Sequence, residues 1–293
     1  MDLIIGIIPW AIVLSLLAVY TVRVMVKGRA TSARADREGG SVLLSKHLVE
    51  FGLWMLTPVG GLLAKLGATP DGVTWFSLVP GIGAGVALAF GWFGTATLLG
   101  TIAAFCDSLD GMLARLLGTG SESGETLDAI VDRYAEAAFL AGAMVHYRYS
   151  ATMSAMTALA LVGAFMVSYT TAKAEAQQIT PPRGLMRRSE RATYMLVGAG
   201  LVPFTRSILP DTALHFLREA PMVAVIGAIA IIANASALRR MSRIRRALNE
   251  AAAAPVPVPT IDMAPSASRY DTHVQPHAQP HVPGAVLTSE MPS

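Results

Sequence analysis

Seven apolar stretches, each near or above the roughly 18 residues a helix needs to cross a bilayer, recur along this chain. They cover residues 3–25, 73–90, 95–117, 129–144, 151–170, 192–204 and 220–238. A bilayer core offers no water to backbone N–H and C=O groups, so segments of this kind are forced to bond internally, and long continuous ones do so as helices. Composition agrees. Of the 293 residues 53% are hydrophobic and 15% charged, against roughly 25% charged in ordinary soluble domains, and the mean hydropathy is +0.50. The expected fold class is all-α, a polytopic membrane protein with about seven spans.

Charge patterning orients the spans. Lys and Arg gather in alternate loops, over residues 23–46, 173–191 and 239–246, while the intervening loops carry little beyond Arg148, Arg206 and Arg218. The positive-inside rule places the basic loops, the turn at 118–124 and the C-terminal tail in the cytoplasm, with the N-terminus outside. Because each basic cluster adjoins a span, the partner expected is the bilayer surface, with no nucleic acid. A bacterial-type inner or cell membrane is the expected location. The single Cys106 excludes an intrachain disulfide framework, no Cys/His cluster has zinc spacing, and redox chemistry is not expected. The first apolar stretch lacks a basic leader, is too long for a signal core, and is followed by Arg23, Lys27 and Arg29, so a retained helix is expected.

The organisation read from these patterns is an extra N-terminal transmembrane helix at 1–26, a polar linker at 27–40, a membrane domain at 41–248, and a disordered Pro/Ala/His-rich tail at 249–293. Residues 41–66 mix Lys46, His47, Glu50 and Lys65 with Leu and aromatic side chains, which predicts an amphipathic juxtamembrane helix broken at Pro58 and Gly60-Gly61. Thr69-Pro70-Asp71 opens the second span, Trp92 and Phe93 mark its outer interface, and the spans on either side of 118–124 form an antiparallel pair.

The segment 106–133, CDSLDGMLARLLGTGSESGETLDAIVDR, carries the chemistry. Asp107 and Asp110 are three apart and Asp128 and Asp132 four apart, so each pair shares a helix face. At a rise of ~1.5 Å per residue, Asp107 and Asp110 lie roughly 18 and 22 Å below Thr95, and Asp132 about 6 Å deeper than Asp128 from the inner side. All four carboxylates can meet at one level. Each costs on the order of 2.5–3.5 kcal/mol near a helix centre, and the basic groups near them in sequence are Arg115 and Arg133. Two divalent metal ions would balance them, and carboxylate ligation suits Mg²⁺ or Mn²⁺. Paired metals clamp a phosphoryl group for displacement. Gly111 and Ala114 clear space for a ligand near the backbone, and Arg115 can hold phosphate through its planar guanidinium.

The spacing Asp107-x2-Asp110-Gly111-x2-Ala114-Arg115-x8-Gly124-x3-Asp128-x3-Asp132 resembles the signature of the CDP-alcohol phosphatidyltransferase family at every fixed position, over about residues 41–248. The resemblance implies a six-helix core opening to the cytoplasm and inner leaflet, as a homodimer. It implies that Asp107, Asp110 and Asp128 bind two metals, with Asp132 near the metals as general base. Gly111, Ala114, Arg115 and Gly124 would line the CDP site. Thr69-Pro70-Asp71-Gly72-Val73-Thr74 is similar to the family's Pro-Asn-x-x-Thr stretch with Asp71 in place of Asn, which extends the CDP site to Pro70 and Thr74. The implied reaction moves a phosphatidyl group from CDP-diacylglycerol to a polar alcohol acceptor and releases CMP.

The loop after the fifth long span resembles the branch that makes phosphatidylinositol phosphate or phosphatidylglycerol phosphate, in which Lys173 and Arg191 would bind the phosphate of a phosphorylated polyol. The chain departs from the inositol-phosphate pattern at Thr171, where a basic residue is expected. An aminoalcohol phosphotransferase using CDP-choline or CDP-ethanolamine and diacylglycerol shares the same signature. A divalent-cation transporter is the alternative from a different class, although no inverted repeat accompanies the acidic cluster.

Overall fold

The computed structural model describes residues 1–27, 46–179, 186–212 and 214–253. The expected linker beyond Lys27, residues 41–45 of the amphipathic segment, residues 180–185 of the basic loop and the tail from 254 lie outside the described residues. Nine helices are described: α1 Asp2–Lys27, α2 Lys46–Lys65, α3 Pro70–Ala89, α4 Phe93–Leu117, α5 Glu122–His146, α6 Ala151–Ala176, α7 Arg188–Ile208, the short α8 His215–Arg218, and α9 Ala220–Ala253. No strand occurs among the described residues. Five of the helices, α1, α3, α4, α6 and the 220–250 stretch of α9, are long and apolar enough to cross a membrane. Helices α5 and α7 have comparable length, 25 and 21 residues, but carry the charged side chains described below.

Local chemistry sets the ends that matter for the site. Thr69 caps α3 by accepting from Gly72 N at 3.2 Å, with Pro70 at the first turn where its missing N–H is harmless. Helix α4 ends at Gly118, whose φ of 66° is the left-handed conformation that a side chain disfavours. Ser121 then accepts from Gly124 N at 3.1 Å and starts α5 at Glu122. The turn is therefore shorter than the 118–124 expected, and Gly124 belongs to the first turn of α5.

Helix α2 is continuous through Pro58, Gly60 and Gly61, contrary to the break expected there. Packing outweighs the lost backbone bond. Leu56 is buried against Leu109 and Met112 of α4, and a β-carbon at Gly60 would come within 3.2 Å of Met112 Sδ, so the glycine permits the contact. Helix α1 docks on the same core. The Asp2 carboxylate accepts from Gly94 N and Thr95 N, each at 3.1 Å, and so caps α4, which has no side-chain cap of its own. At the other end of α1, Tyr20 donates to Glu50 at 3.3 Å and its ring packs on Phe51 and Trp54.

Helices α4 and α5 run antiparallel, but they are joined chiefly through α3, which packs along both, rather than packing closely on each other. A β-carbon at Gly81 would touch Ala135 of α5 at 2.9 Å and Ala103 of α4 at 3.8 Å. Farther along, Gly85 and Gly142 let the backbones of α3 and α5 meet, and a β-carbon at Gly142 would lie 2.0 Å from Gly85 O. Gly142→Ala is expected to destabilise the fold by about 1–3 kcal/mol through overpacking. Gly120→Ala, which meets nothing within 4 Å, is the control. Thermal unfolding in detergent should show a clear loss for the first variant alone. The main core lies among α3, α5, α6, α7 and α9, around Leu88, Leu140, Ala164, Met195 and Ile226.

Phe93 is not an interface residue as expected. It is fully buried, with Arg206 Cζ 4.5 Å from its ring centroid and His146 edge-on at 5.0 Å. Trp92, its neighbour, is exposed and stacks on Phe90. Around Phe93, Glu219 is buried and engages His146 Nε2 at 3.2 Å and Arg206, which also donates to Gly91 O at 3.0 Å. Burial works to raise the Glu219 pKa, but the hydrogen bonds and positive charge of His146 and Arg206 prevail and hold it at about 2. A depressed carboxylate contributes stability above its unfolded pKa, near 4.5, and loses it as pH falls toward 2. The melting-temperature gap between wild type and Glu219→Gln should therefore be widest above about pH 5 and close progressively in more acidic buffers.

Candidate active site

At the end of the fold opposite the Phe93 cluster, α4 presents Asp107 and Asp110, and α5 presents Asp128 and Asp132. One oxygen from each of Asp107, Asp128 and Asp132 lies within 4.8 Å of the other two. Asp110 is buried beside them and otherwise engaged. It accepts from Thr74 Oγ1 of α3 at 2.6 Å and from its neighbour Gly111 N. Pro70 and Thr74 thus reach the site through the cap that starts α3. The same cap brings Asp71 beside α5, since a β-carbon at Gly124 would lie 3.5 Å from Asp71 Oδ1.

The glycines expected to line a nucleotide site border this cluster. Arg115 is exposed and folds back across Gly111, where a β-carbon would sit 3.4 Å from Arg115 Nη1, and Ala114 between them is half-buried. Arg133, by contrast, turns to its own helix and donates to Ala129 O. It is not the counter-charge to the aspartates that its place in the sequence suggested.

That role falls to Arg188, at the first residue of α7. Its Nη2 donates to Asp107 Oδ1 at 3.0 Å and its Nη1 pairs with Asp132 Oδ2. One turn on, Arg191 is fully buried and grips Glu136 with two bonds, Nε to Oε1 at 2.7 Å and Nη2 to Oε2 at 2.9 Å. Arg240 of α9 donates to Thr171 Oγ1 and to Val167 O at 3.4 Å, within range of the Arg191 charge. Neither Arg191 Nη1 nor Arg240 Nε has a hydrogen-bond partner among the described residues. Lys173, in the last turn of α6, is exposed.

Sequence reasoning missed Arg188, Glu136 and Arg240. Two of them had a signal. Glu136 continues the four-residue spacing of Asp128 and Asp132 along one face of α5, and Arg188 stands three before Arg191 on one face of α7. Arg240 had none, because the basic run at 239–246 reads equally well as membrane-surface anchoring.

Comparison with known proteins bears on what this arrangement does. The family model for CDP-alcohol phosphatidyltransferases matches residues 67–233, which contain every aspartate of the site. The chain belongs to this family. A CDP-alcohol phosphatidyltransferase is a transferase of phosphate-containing groups, and membership sets aside the transporter alternative. With its apolar helices, this family member is an integral, multi-pass membrane protein of phospholipid synthesis.

The chain is 31% identical over 198 residues to a phosphatidylinositol phosphate synthase of Cutibacterium acnes, covering 64% of this chain and 93% of that protein. It is 36% identical over 181 residues to one of Corynebacterium glutamicum, covering 59% and 81%. Crystal structures of Mycobacterium tuberculosis phosphatidylinositol phosphate synthase share its fold. The complex with manganese and citrate has a TM-score of 0.57 at 24% identity, covering 65% of this chain and 88% of that one. The form with CDP-DAG bound has a TM-score of 0.55 at 24% identity, covering 64% and 92%.

Proposed function

We propose that this CDP-alcohol phosphatidyltransferase transfers the phosphatidyl group of CDP-diacylglycerol to a hydroxyl of inositol phosphate, releasing CMP. The observation that carries the reading is the meeting of Asp107, Asp128 and Asp132 within 4.8 Å at the end of the bundle where Arg191 and Arg240 each keep a guanidinium nitrogen without a partner among the described residues. The first half suits the cations, the second an anionic acceptor. The names of the relatives from C. acnes and C. glutamicum support the same acceptor.

The donor set fits a divalent metal. Among the described residues Arg188 pairs with Asp107 and Asp132 of this group of four carboxylates, and oxygen-only ligation favours Mg²⁺ or Mn²⁺. Asp107, Asp110, Asp128 and Asp132 would hold two such ions. Bound there, the metals would supply charge stabilisation to phosphoryl oxygens and to the leaving group. Gly111, Ala114, Arg115 and Gly124, with Pro70 and Thr74, form the CDP side. Thr74 acts through Asp110, whose carboxylate it orients at 2.6 Å.

In the reaction, Asp132 accepts the proton of the acceptor hydroxyl. The acceptor oxygen bonds to the phosphorus that carries diacylglycerol, and the bond from that phosphorus to the oxygen of CMP breaks. On the acceptor side Arg191 is fixed by Glu136 with its Nη1 left without a partner among the described residues, and Lys173 extends from α6. At Thr171, where the sequence departs from the inositol-phosphate pattern, Arg240 delivers a guanidinium from α9. The basic residues cluster at this end of the bundle, which by the positive-inside rule faces the cytoplasm of a bacterial-type cell. The homodimer implied by the resemblance belongs to this proposal, and light scattering of the detergent-solubilised protein tests it.

The deciding experiment is metal-dependent CMP release from CDP-diacylglycerol by the purified protein. It compares myo-inositol 1-phosphate, glycerol 3-phosphate, serine and free inositol as acceptors. Inositol phosphate should give the highest kcat/KM. Preference for glycerol 3-phosphate would reassign the acceptor, and turnover of CDP-choline or CDP-ethanolamine with diacylglycerol would replace the reading by an aminoalcohol phosphotransferase.

A further inference from the structure

We infer that Arg188 is the internal counter-ion of the carboxylate cluster, bridging Asp107 and Asp132 in the metal-free protein and displaced when a divalent cation enters between them. The inference rests on the metal site proposed above and concerns how that site is held before it is loaded. Two of the three residues that converge within 4.8 Å are the two that Arg188 engages. A guanidinium and a metal ion both draw on the charge of these two carboxylates, so the two compete for the cluster.

The need for a stand-in cation follows from the charge. Four aspartates set among apolar spans repel one another at a cost that water screens poorly there. Arg133 does not relieve it, because it turns to its own helix and donates to Ala129 O. Arg191 cannot, because it is fully buried and held at two points by Glu136.

Arg188 differs in both respects. Its side chain is 38% exposed, against 0% for Arg191, and it sits at the first residue of α7 rather than inside the bundle. A route out of the cluster is therefore open to it. The displaced guanidinium returns to solvent while the metal takes over its two carboxylates, so metal affinity is set partly by the ion pair that has to be broken.

Removing the competitor should tighten metal binding. The test uses the full chain, stripped with EDTA and titrated with Mn²⁺, with free Mn²⁺ read by electron paramagnetic resonance. Arg188→Gln is expected to bind about tenfold more tightly than wild type, the size of one charge-assisted bond. Arg188→Lys keeps the charge and should stay near wild type.

Loss of a nearby positive charge would alone tighten binding, so a second readout on the wild-type chain reports displacement itself. Phenylglyoxal labelling of Arg188, quantified by peptide mass spectrometry against the exposed Arg187, should rise severalfold on adding Mn²⁺. Labelling that stays level or falls while Mn²⁺ binds overturns the inference, even if Arg188→Gln binds more tightly. So does Arg188→Gln binding no tighter than wild type. If neither protein binds Mn²⁺, the proposed metal site fails and the inference goes with it, an outcome distinct from the other two.

Discussion

Asp132→Asn is expected to lower CMP release from CDP-diacylglycerol by about 10²–10⁴-fold, the range associated with losing a positioned proton acceptor. Asparagine keeps the size and one carbonyl oxygen of the side chain but has no basic lone pair at neutral pH. Asp132 is buried at the meeting point of α4 and α5, where solvent offers no substitute base. The loss should fall on kcat, because the acceptor's proton must leave in the bond-forming step. Asp128→Asn provides the contrast. It removes a member of the same cluster that the proposal treats as a ligand, so raising Mn²⁺ should restore part of its activity. Raising Mn²⁺ refills the site of Asp132→Asn as well but supplies no proton acceptor, so most of its loss should persist. Equal rescue of both variants would make Asp132 a ligand and nothing more.

The second large effect is on stability. Glu136→Gln leaves Arg191, a fully buried guanidinium, without its anionic partner. Breaking a buried pair from one side costs about 3–5 kcal/mol, because the remaining charge stays desolvated and uncompensated. The midpoint of thermal unfolding in detergent should fall accordingly. The double variant Glu136→Leu with Arg191→Met should recover most of that loss, since an apolar pair of similar volume carries no stranded charge. Turnover with inositol phosphate should not recover with it. Recovery of both would mean that the pair holds the bundle together and has no part in the acceptor site.

Much of this protein is legible in its amino-acid sequence. The helical class follows from backbone chemistry in an apolar solvent, and the site follows from aspartates whose cost in that solvent demands a function. Caps are legible too, as at Thr69-Pro70. What escapes the sequence depends on contacts between distant segments. Arg188 lies 81 residues from Asp107 and Arg191 lies 55 from Glu136, so no local pattern pairs them. Pro58 reads as a breaker until Met112 and Leu116 are seen packed against Gly60. Phe93 reads as an interface aromatic until Arg206 and His146 arrive from α7 and α5 to enclose it. Nor does sequence show that Asp2 caps α4 from a helix that lies outside the family match at 67–233.

We propose that Asp107, Asp128 and Asp132 form a divalent-metal site on the path of phosphoryl transfer. Crystals grown with Mn²⁺ and a CDP nucleotide, measured at a wavelength where manganese scatters anomalously, locate the metal. Anomalous peaks should fall among these carboxylates, with the nucleotide's pyrophosphate in contact and Arg115 beside it. A nucleotide bound elsewhere, or well-ordered crystals whose manganese avoids these three side chains, would rule out a metal site there.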